Sequence, residues 1–293
     1  MIARLQRKFI YRPLRGKVNL DAAAVPSGVV REVRVRTDDG LTLHGWYAAS
    51  RQPVSNGDPA QRPLVIFFPG NSGHRGCRHK DCELFTQIGA DLLLVDYRGY
   101  GENPGRPCEA SLAADARAIW RHAIERMASP PGRIVLFGGS LGGGVATGLA
   151  HELCAQASLP AGLILRATFT SIADAGQARY PWLPVRRLLV ERFPSIERIA
   201  HVTCPLLVVH GAADRVVPIE QGRRLFAAAQ PQSVCGVEKR FVELPASGHH
   251  DIIHTGWEEM RAEFARFLAE ISNGRRRSTE MAETQDEFIP RNH

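Results

Sequence analysis

Five short runs of this chain are apolar almost throughout instead of at alternate positions: LVIFF at 64–68, LLLVD at 92–96, RIVLFG at 133–138, GLILRA at 162–167 and PLLVVHG at 205–211. A strand with one face in water alternates apolar and polar residues, whereas a strand covered by helices on both faces reads as a continuous apolar run. The stretches between the runs are long enough for helices. One of them, EASLAADARAIWRHAIERMA, repeats Leu112, Ala116, Ile119, Ala123 and Met127 at helical spacing before Pro130-Pro131-Gly132 stops it. Such alternation predicts a mostly parallel sheet with helices on both faces, the α/β class. Ahead of it, residues 29–48 alternate apolar and polar around Asp38-Asp39-Gly40, the pattern of an antiparallel hairpin. Behind it, KRFVELP at 239–245 predicts a last strand and residues 255–271 a closing helix.

A chain of 293 residues with 44% hydrophobic and 23% charged residues can bury one large core without help from metal or disulfides. The expected organisation is a basic N-terminal arm (1–28), one domain (29–272) and a polar, disordered tail (273–293). Within the domain, residues 172–203 separate two strands and predict a small helical cap over the carboxyl edge of the sheet. The six cysteines form no CxxC pair and have no histidine at finger-like spacing, so free thiols in a reducing, cytoplasmic setting are expected and a metal site is not. The first 17 residues carry six basic and no acidic side chains but no continuous apolar run, so neither a signal peptide nor a membrane span is expected. Ile2, Leu5 and Phe9 fall opposite Arg4, Arg7 and Lys8 on a helix, which suits peripheral contact with an anionic membrane surface. The plainer alternative, an arm packed on the domain or simply mobile, is preferred. Much of the net charge of +7 comes from this arm, and no interleaved basic and aromatic surface points to nucleic acid.

Gly138-Gly139-Ser140-Leu141-Gly142 fits G-x-S-x-G and lies between the apolar run IVLF and the helix-like LGGGVATGLAHEL. A sharp strand-to-helix turn there exposes a serine hydroxyl, which identifies Ser140 as the candidate nucleophile. A serine hydroxyl needs an imidazole to take its proton and a carboxylate to orient that imidazole. Asp214 follows the run PLLVVHG and His249 follows RFVELP, so the order is Ser, Asp, His, as this fold requires. His250 and Asp96 are the rivals; His249 is preferred because Gly248 lets the loop turn, and Asp96 precedes the serine and reads as a loop-fixing acceptor. Asp251 reads as a helix N-cap. Two backbone amides, of Leu141 and of Asn71 in the loop Pro69-Gly70-Asn71-Ser72-Gly73, are expected to form the oxyanion hole.

These landmarks, together with Asp96-Tyr97-Arg98-Gly99-Tyr100-Gly101 and Thr168-Phe169-Thr170-Ser171, resemble the α/β-hydrolase-domain serine hydrolases of the Bem46 group. They span residues 29 to 271 and depart from the group where Pro69 replaces its usual histidine. The resemblance implies the α/β-hydrolase fold with an eight-stranded, mostly parallel sheet and a small cap, no cofactor, and hydrolysis of esters or thioesters. Some relatives remove fatty acyl groups from proteins. The expected activity is therefore that of a carboxylesterase-type serine hydrolase acting on a small-molecule ester or thioester through an acyl-enzyme. The alternatives are an acylaminoacyl or prolyl-type peptidase and a protein-deacylating thioesterase at a membrane surface. Tyr180, Trp182, Leu183, Leu188, Leu189 and Phe193 are expected to form an apolar lid over a modest acyl pocket. Nothing in the sequence fixes the oligomeric state.

Overall fold

Around the Asp38-Asp39-Gly40 turn, β1 (Gly28–Arg36) and β2 (Thr42–Ser50) pair antiparallel with Val35 opposite Leu43, and Gly40 turns the chain at φ +84°. The computed structural model describes residues 2–20, 28–53 and 62–286. The sheet continues through β3 (Leu64–Phe68), β4 (Asp91–Val95), β5 (Ile134–Gly139), β6 (Gly162–Arg166), β7 (Leu206–Gly211) and β8 (Arg240–Leu244). Its eight strands lie in the order β1-β2-β4-β3-β5-β6-β7-β8, and β2 meets β4 antiparallel while every pair from β4 to β8 is parallel.

Ten helices are described: α1 (Ile2–Ile10), α2 (His79–Gln87), α3 (Glu109–Glu125), α4 (Leu141–Ala155), α5 (Ile172–Arg179), α6 (Val185–Leu188), α7 (Ser195–Ile199), α8 (Ile219–Ala228), α9 (Ile252–Thr255) and α10 (Trp257–Asp286). The continuous apolar runs of the sequence are explained by how they divide. Leu64, Ile66, Phe68, Ile134 and Leu136 join one core with Ile119 of α3, Leu149 of α4 and Leu225 of α8. Their neighbours Val65, Phe67, Val135 and Phe137 join the opposite core with Leu84 and Phe85 of α2 and Phe264 and Phe267 of α10. Both faces of the central strands are thus dry, so polar residues are confined to strand ends, as at Asp91, Arg166 and His210.

The closing helix begins at Trp257 and runs to Asp286, so residues 273–286 continue a helix where the sequence predicts a disordered tail. Met260, Phe264, Phe267, Leu268 and Ile271 anchor its first half in the core. No proline interrupts the helix before Pro290, and Arg275 to Arg277, Glu280, Met281, Ala282 and Glu283 favour helix by local propensity. Residues 287–293 of the expected tail, and Met1 and 21–27 of the expected arm, lie outside the described residues.

The rest of the arm is docked on the domain. Glu191, itself buried, accepts hydrogen bonds from Arg7 Nε (2.6 Å), Tyr11 Oη (2.7 Å) and the Glu109 amide, and Gln6 Nε2 donates to the Leu188 carbonyl (2.7 Å). Arg12 and Pro13 then pair in parallel with Ser72 and Gly73. Residues 172–203 carry α5 to α7, and their buried anchor Phe193 packs against α4, 3.0 Å from where a Cβ on Gly144 would stand. Among the described residues no helix is long and apolar enough to cross a membrane.

Docking of α10 depends on Phe264, which is fully buried between the Phe85 ring (5.4 Å) and the Phe137 ring (5.7 Å). Phe264→Ala is expected to lower the unfolding free energy by about 3–5 kcal/mol in a urea titration. A loss below about 1 kcal/mol would mean that α10 does not cover this face.

Candidate active site

The turn from β5 into α4 is built from two close approaches. A Cβ on Gly142 would stand 1.8 Å from the Phe68 carbonyl oxygen, and one on Gly138 would stand 2.5 Å from the Gly142 carbonyl oxygen. Only glycine fits either position, which gives the flanking glycines of the motif a steric cause. Between them Ser140 is forced to φ +51°, ψ −118°, a conformation that costs a non-glycine residue about 1–3 kcal/mol. Surrounding bonds hold it there: the Ser140 amide donates to the Arg166 carbonyl (2.9 Å), and the Ser140 carbonyl accepts from Thr168 Oγ1 (2.7 Å).

Loops at the same edge of the sheet bring Asp214 and His249 to this serine. The Ala213 amide donates to the Ser247 carbonyl (3.0 Å), tying the loop after β7 to the loop after β8. His249 Nδ1 lies 2.6 Å from Asp214 Oδ2, and His249 Nε2 lies 3.0 Å from Ser140 Oγ. A carboxylate only accepts, so Nδ1 carries the proton and Nε2 is left to accept from the serine hydroxyl. The second oxygen of Asp214 accepts from the amides of Val216 and Val217, both at 2.8 Å. Burial alone would raise the Asp214 carboxyl, but hydrogen bonds from His210, His249 and the Val217 amide outweigh it and hold the group well below the usual carboxylate range.

The rivals fall elsewhere. His250 meets the His249 ring edge-on at 5.2 Å and lines the pocket without bonding to Ser140. Asp96 accepts from the Arg75 amide (2.6 Å) and Arg75 Nη1 (2.7 Å), so it fixes the loop after β3. Asp251 does occupy the N-cap position of α9, but its carboxylate accepts from the Gly248 amide (2.8 Å) instead of capping the helix. His210 is a residue that the sequence reading missed. Fully buried at the end of β7, its Nε2 lies 2.9 Å from the Val217 carbonyl and 3.4 Å from Asp214 Oδ2, so it donates and braces the carboxylate. The available signal was a lone histidine ending an apolar strand.

The loop 69–73 faces the serine, since a Cβ on Gly70 would stand 3.6 Å from Ser140 Cβ. Its carbonyls are turned away and engaged. Pro69 accepts from Tyr97 Oη (2.9 Å), and Asn71 accepts from Tyr100 Oη (2.7 Å) and the Arg12 amide (2.8 Å). Asn71 Nδ2 donates to the Ile10 carbonyl (2.6 Å). The Asn71 amide has no acceptor among the described residues, and the Leu141 amide opens α4, where an N–H has no intrahelical partner. The N-terminal arm is therefore bonded directly to this loop.

A pocket of about 230 Å³ opens beside Ser140. Its walls come from the 70–81 segment, Arg166 and residues 249–254. None of the expected lid residues lines it. Trp182 is 79% exposed and Tyr180, Leu183 and Leu188 also face solvent, because α5 to α7 pack against α4 and the arm and leave the pocket side uncovered. The apolar lid predicted from the sequence is thus corrected: the pocket is lined by the 70–81 segment, Arg166 and residues 249–254, with basic and apolar side chains mixed.

Comparison with solved structures defines the class. An α/β hydrolase from Vibrio vulnificus matches with a TM-score of 0.69 at 21% identity over 93% of both chains. An esterase of Pyrococcus furiosus matches with 0.67 at 18% identity over 89% of this chain and 98% of that one. At such identities the likeness shows the fold. Sequence comparison goes further: an uncharacterized protein of Mycobacterium tuberculosis is 43% identical over 91% of this chain and 88% of its own. Human Protein ABHD12B is 30% identical over 75% of this chain and 67% of its own. The lysophosphatidylserine lipase ABHD12 of Danio rerio is 30% identical over 76% of this chain but only 59% of its own. A family profile described as serine aminopeptidase, S33, matches residues 59–198. The chain belongs to the α/β-hydrolase-domain serine hydrolases of the Bem46-like group.

His249→Ala is expected to lose about 10³- to 10⁴-fold in kcat/KM on an activated ester, and Asp214→Asn a similar amount because the amide favours the wrong tautomer. His250→Ala is expected to retain activity to within about tenfold of the parent. The reverse order of the two histidine variants would move the base by one residue.

Proposed function

We propose that this chain hydrolyses carboxylic esters or thioesters through an acyl-enzyme formed on Ser140. The observation that carries the proposal is the bonded line from Asp214 through His249 to Ser140. His249 takes the hydroxyl proton as Ser140 Oγ attacks the carbonyl carbon, and the amides of Leu141 and Asn71 hold the oxyanion that develops. His249 then gives the proton to the leaving oxygen or sulfur. In the second half a water attacks the acyl-enzyme, with His249 again the base. No step asks for a cofactor.

The aminopeptidase wording of the family profile favours a peptidase alternative, but the pocket argues against it. An aminopeptidase must hold a free α-ammonium near the nucleophile. Here the lining carries Arg78, Lys80 and Arg166 against a single carboxylate, Asp81, which already faces Arg166. Such a field repels an ammonium.

A second reading, a lipid or acylated-protein substrate taken at a membrane surface, has one observation in its favour. Trp182 of the cap (79% exposed) and Phe9 of the arm (69% exposed) face solvent, as do Lys8, Arg179 and Arg187, and residues 178–190 contain no carboxylate. Apolar and basic groups together suit an anionic bilayer. On this reading the protein is cytoplasmic and peripheral. It is expected to sediment with phosphatidylglycerol vesicles and not with phosphatidylcholine vesicles, and Trp182→Ala should weaken that binding. Equal recovery with both vesicle types would remove the reading. Deleting the arm is a poor test, because Ile10 and Arg12 hold the loop that carries the Asn71 amide.

Ser140→Ala is expected to abolish labelling by a fluorophosphonate probe and to cost at least about 10³-fold on nitrophenyl acetate without altering the circular dichroism spectrum. The pocket of about 230 Å³ falls below the usual span for drug-sized ligands of about 300–1,000 Å³. Acyl chains of roughly two to eight carbons should therefore outpace palmitoyl, since each further methylene contributes about 0.8 kcal/mol only while it can be buried. A rate that climbs steadily to palmitoyl would overturn the small-acyl assignment.

A further inference from the structure

Arg166 ends β6 against the nucleophile turn and lines the pocket beside Ser140. Its carbonyl holds the Ser140 amide, and its guanidinium reaches forward so that Nη2 stands 3.7 Å from where a Cβ on Gly139 would be. The residue is only 8% exposed, yet Nη1 has no hydrogen-bond partner among the described residues. On the other edge Nη2 lies 2.7 Å from Asp81 Oδ1, without the alignment of a hydrogen bond, and Oδ1 is itself unpartnered. The planar group rests on the Phe137 ring at 4.9 Å, which fixes its plane.

A guanidinium whose task was to neutralise a neighbouring carboxylate would engage it with two donors. Arg98 does so in this same chain, with Nε and Nη2 donating to the two oxygens of Asp115 at 2.8 and 2.5 Å. Arg166 instead meets Asp81 through Nη2 alone, so a guanidinium in the pocket wall is only partly answered by that carboxylate, while its buried Nη1 has no partner among the described residues. Carboxylates and phosphates match the guanidinium fork, and Lys80 and Arg78 on the same lining raise the local positive potential.

We infer that Arg166 forms a subsite for an anionic group, a carboxylate or a phosphate, carried by the ester that Ser140 cleaves. The inference rests on the ester-hydrolysis reading above and adds the charge of the substrate to it. The anion takes no part in bond making; it positions the scissile carbonyl, so its effect falls mainly on KM.

The test pairs 4-nitrophenyl hydrogen adipate with 4-nitrophenyl hexanoate, which have the same acyl length with and without a terminal carboxylate. The parent protein is expected to favour the adipate ester by at least about tenfold in kcat/KM, and Arg166→Gln to bring that ratio down about tenfold, while Arg166→Lys keeps part of it. A merely structural role would lower both esters alike and leave the ratio unchanged, and that result would overturn the inference. So would a ratio near one in the parent, a measurement that stands even if a variant does not fold. Inorganic phosphate and acetate, each added as a competitor of the adipate ester, identify by the stronger inhibition which oxyanion the subsite takes. Binding is read separately from turnover by calorimetry of monomethyl adipate with Ser140→Ala, where heat of binding is expected and should vanish in Ser140→Ala/Arg166→Gln. Binding without turnover of either ester by the parent would count against the ester-hydrolysis reading alone. Turnover of hexanoate without binding of the anion would count against the subsite alone.

Discussion

Everything at the working edge of the sheet depends on how closely α4 can approach β3 and β5. Gly142 lies so near the Phe68 carbonyl, and Gly138 so near the Gly142 carbonyl, that the chain can pass from strand to helix only by placing Ser140 in a strained left-handed conformation. The strain lifts the hydroxyl out of the backbone, and bonds from the Arg166 carbonyl and the Thr168 hydroxyl keep it from relaxing. A strand-to-helix turn with side chains at those glycine positions would push α4 away, lower the serine into the sheet and break its line to His249.

The site is also an electrostatic arrangement with two unlike halves. Around Asp214, His210, His249 and two backbone amides supply enough donors to keep a buried carboxylate charged, which is what an orienting acid must be. Across the serine, Arg78, Lys80 and Arg166 line a pocket with one opposing carboxylate. In the proposed mechanism the first half serves the proton transfer, and the second is the part inferred to select what arrives. Fold alone does not choose between substrates; the charge of this wall is the feature of the site that bears on that choice.

The N-terminal arm links the site to the molecule's outer face. Through Asn71 it is bonded to the loop beside the serine, and through Glu191 it is bonded to the cap. The end of α1 meets this loop through a hydrogen bond from Asn71 to the Ile10 carbonyl, while Ile10 and Tyr11 also pack into the hydrophobic core.

The doubly covered sheet was legible from the runs at 64–68 and 133–138, because burial on both faces leaves no position for a polar residue. Ser140, Asp214 and His249 were legible too, since each is a reactive side chain placed just after such a run and in the order this topology imposes. Local pattern failed where contact between distant segments decides the outcome. The cap reads as an apolar lid, but Glu191 and Phe193 tie it to the arm and to α4, more than a hundred residues away in the case of the arm, and so pull it off the pocket. The tail reads as disordered because it is polar, yet α10 carries it on from an anchored first half. His210 and Arg166 look like ordinary strand ends in the sequence; only the tertiary fold, by desolvating one against Asp214 and setting the other in the wall of the pocket that holds Ser140, gives each its chemical meaning. Sequence by itself determined which elements form and which groups can react, because those follow from local periodicity and residue type. The lining and charge of the pocket were decided by tertiary structure alone, because they depend on which distant side chains are brought together and left without partners.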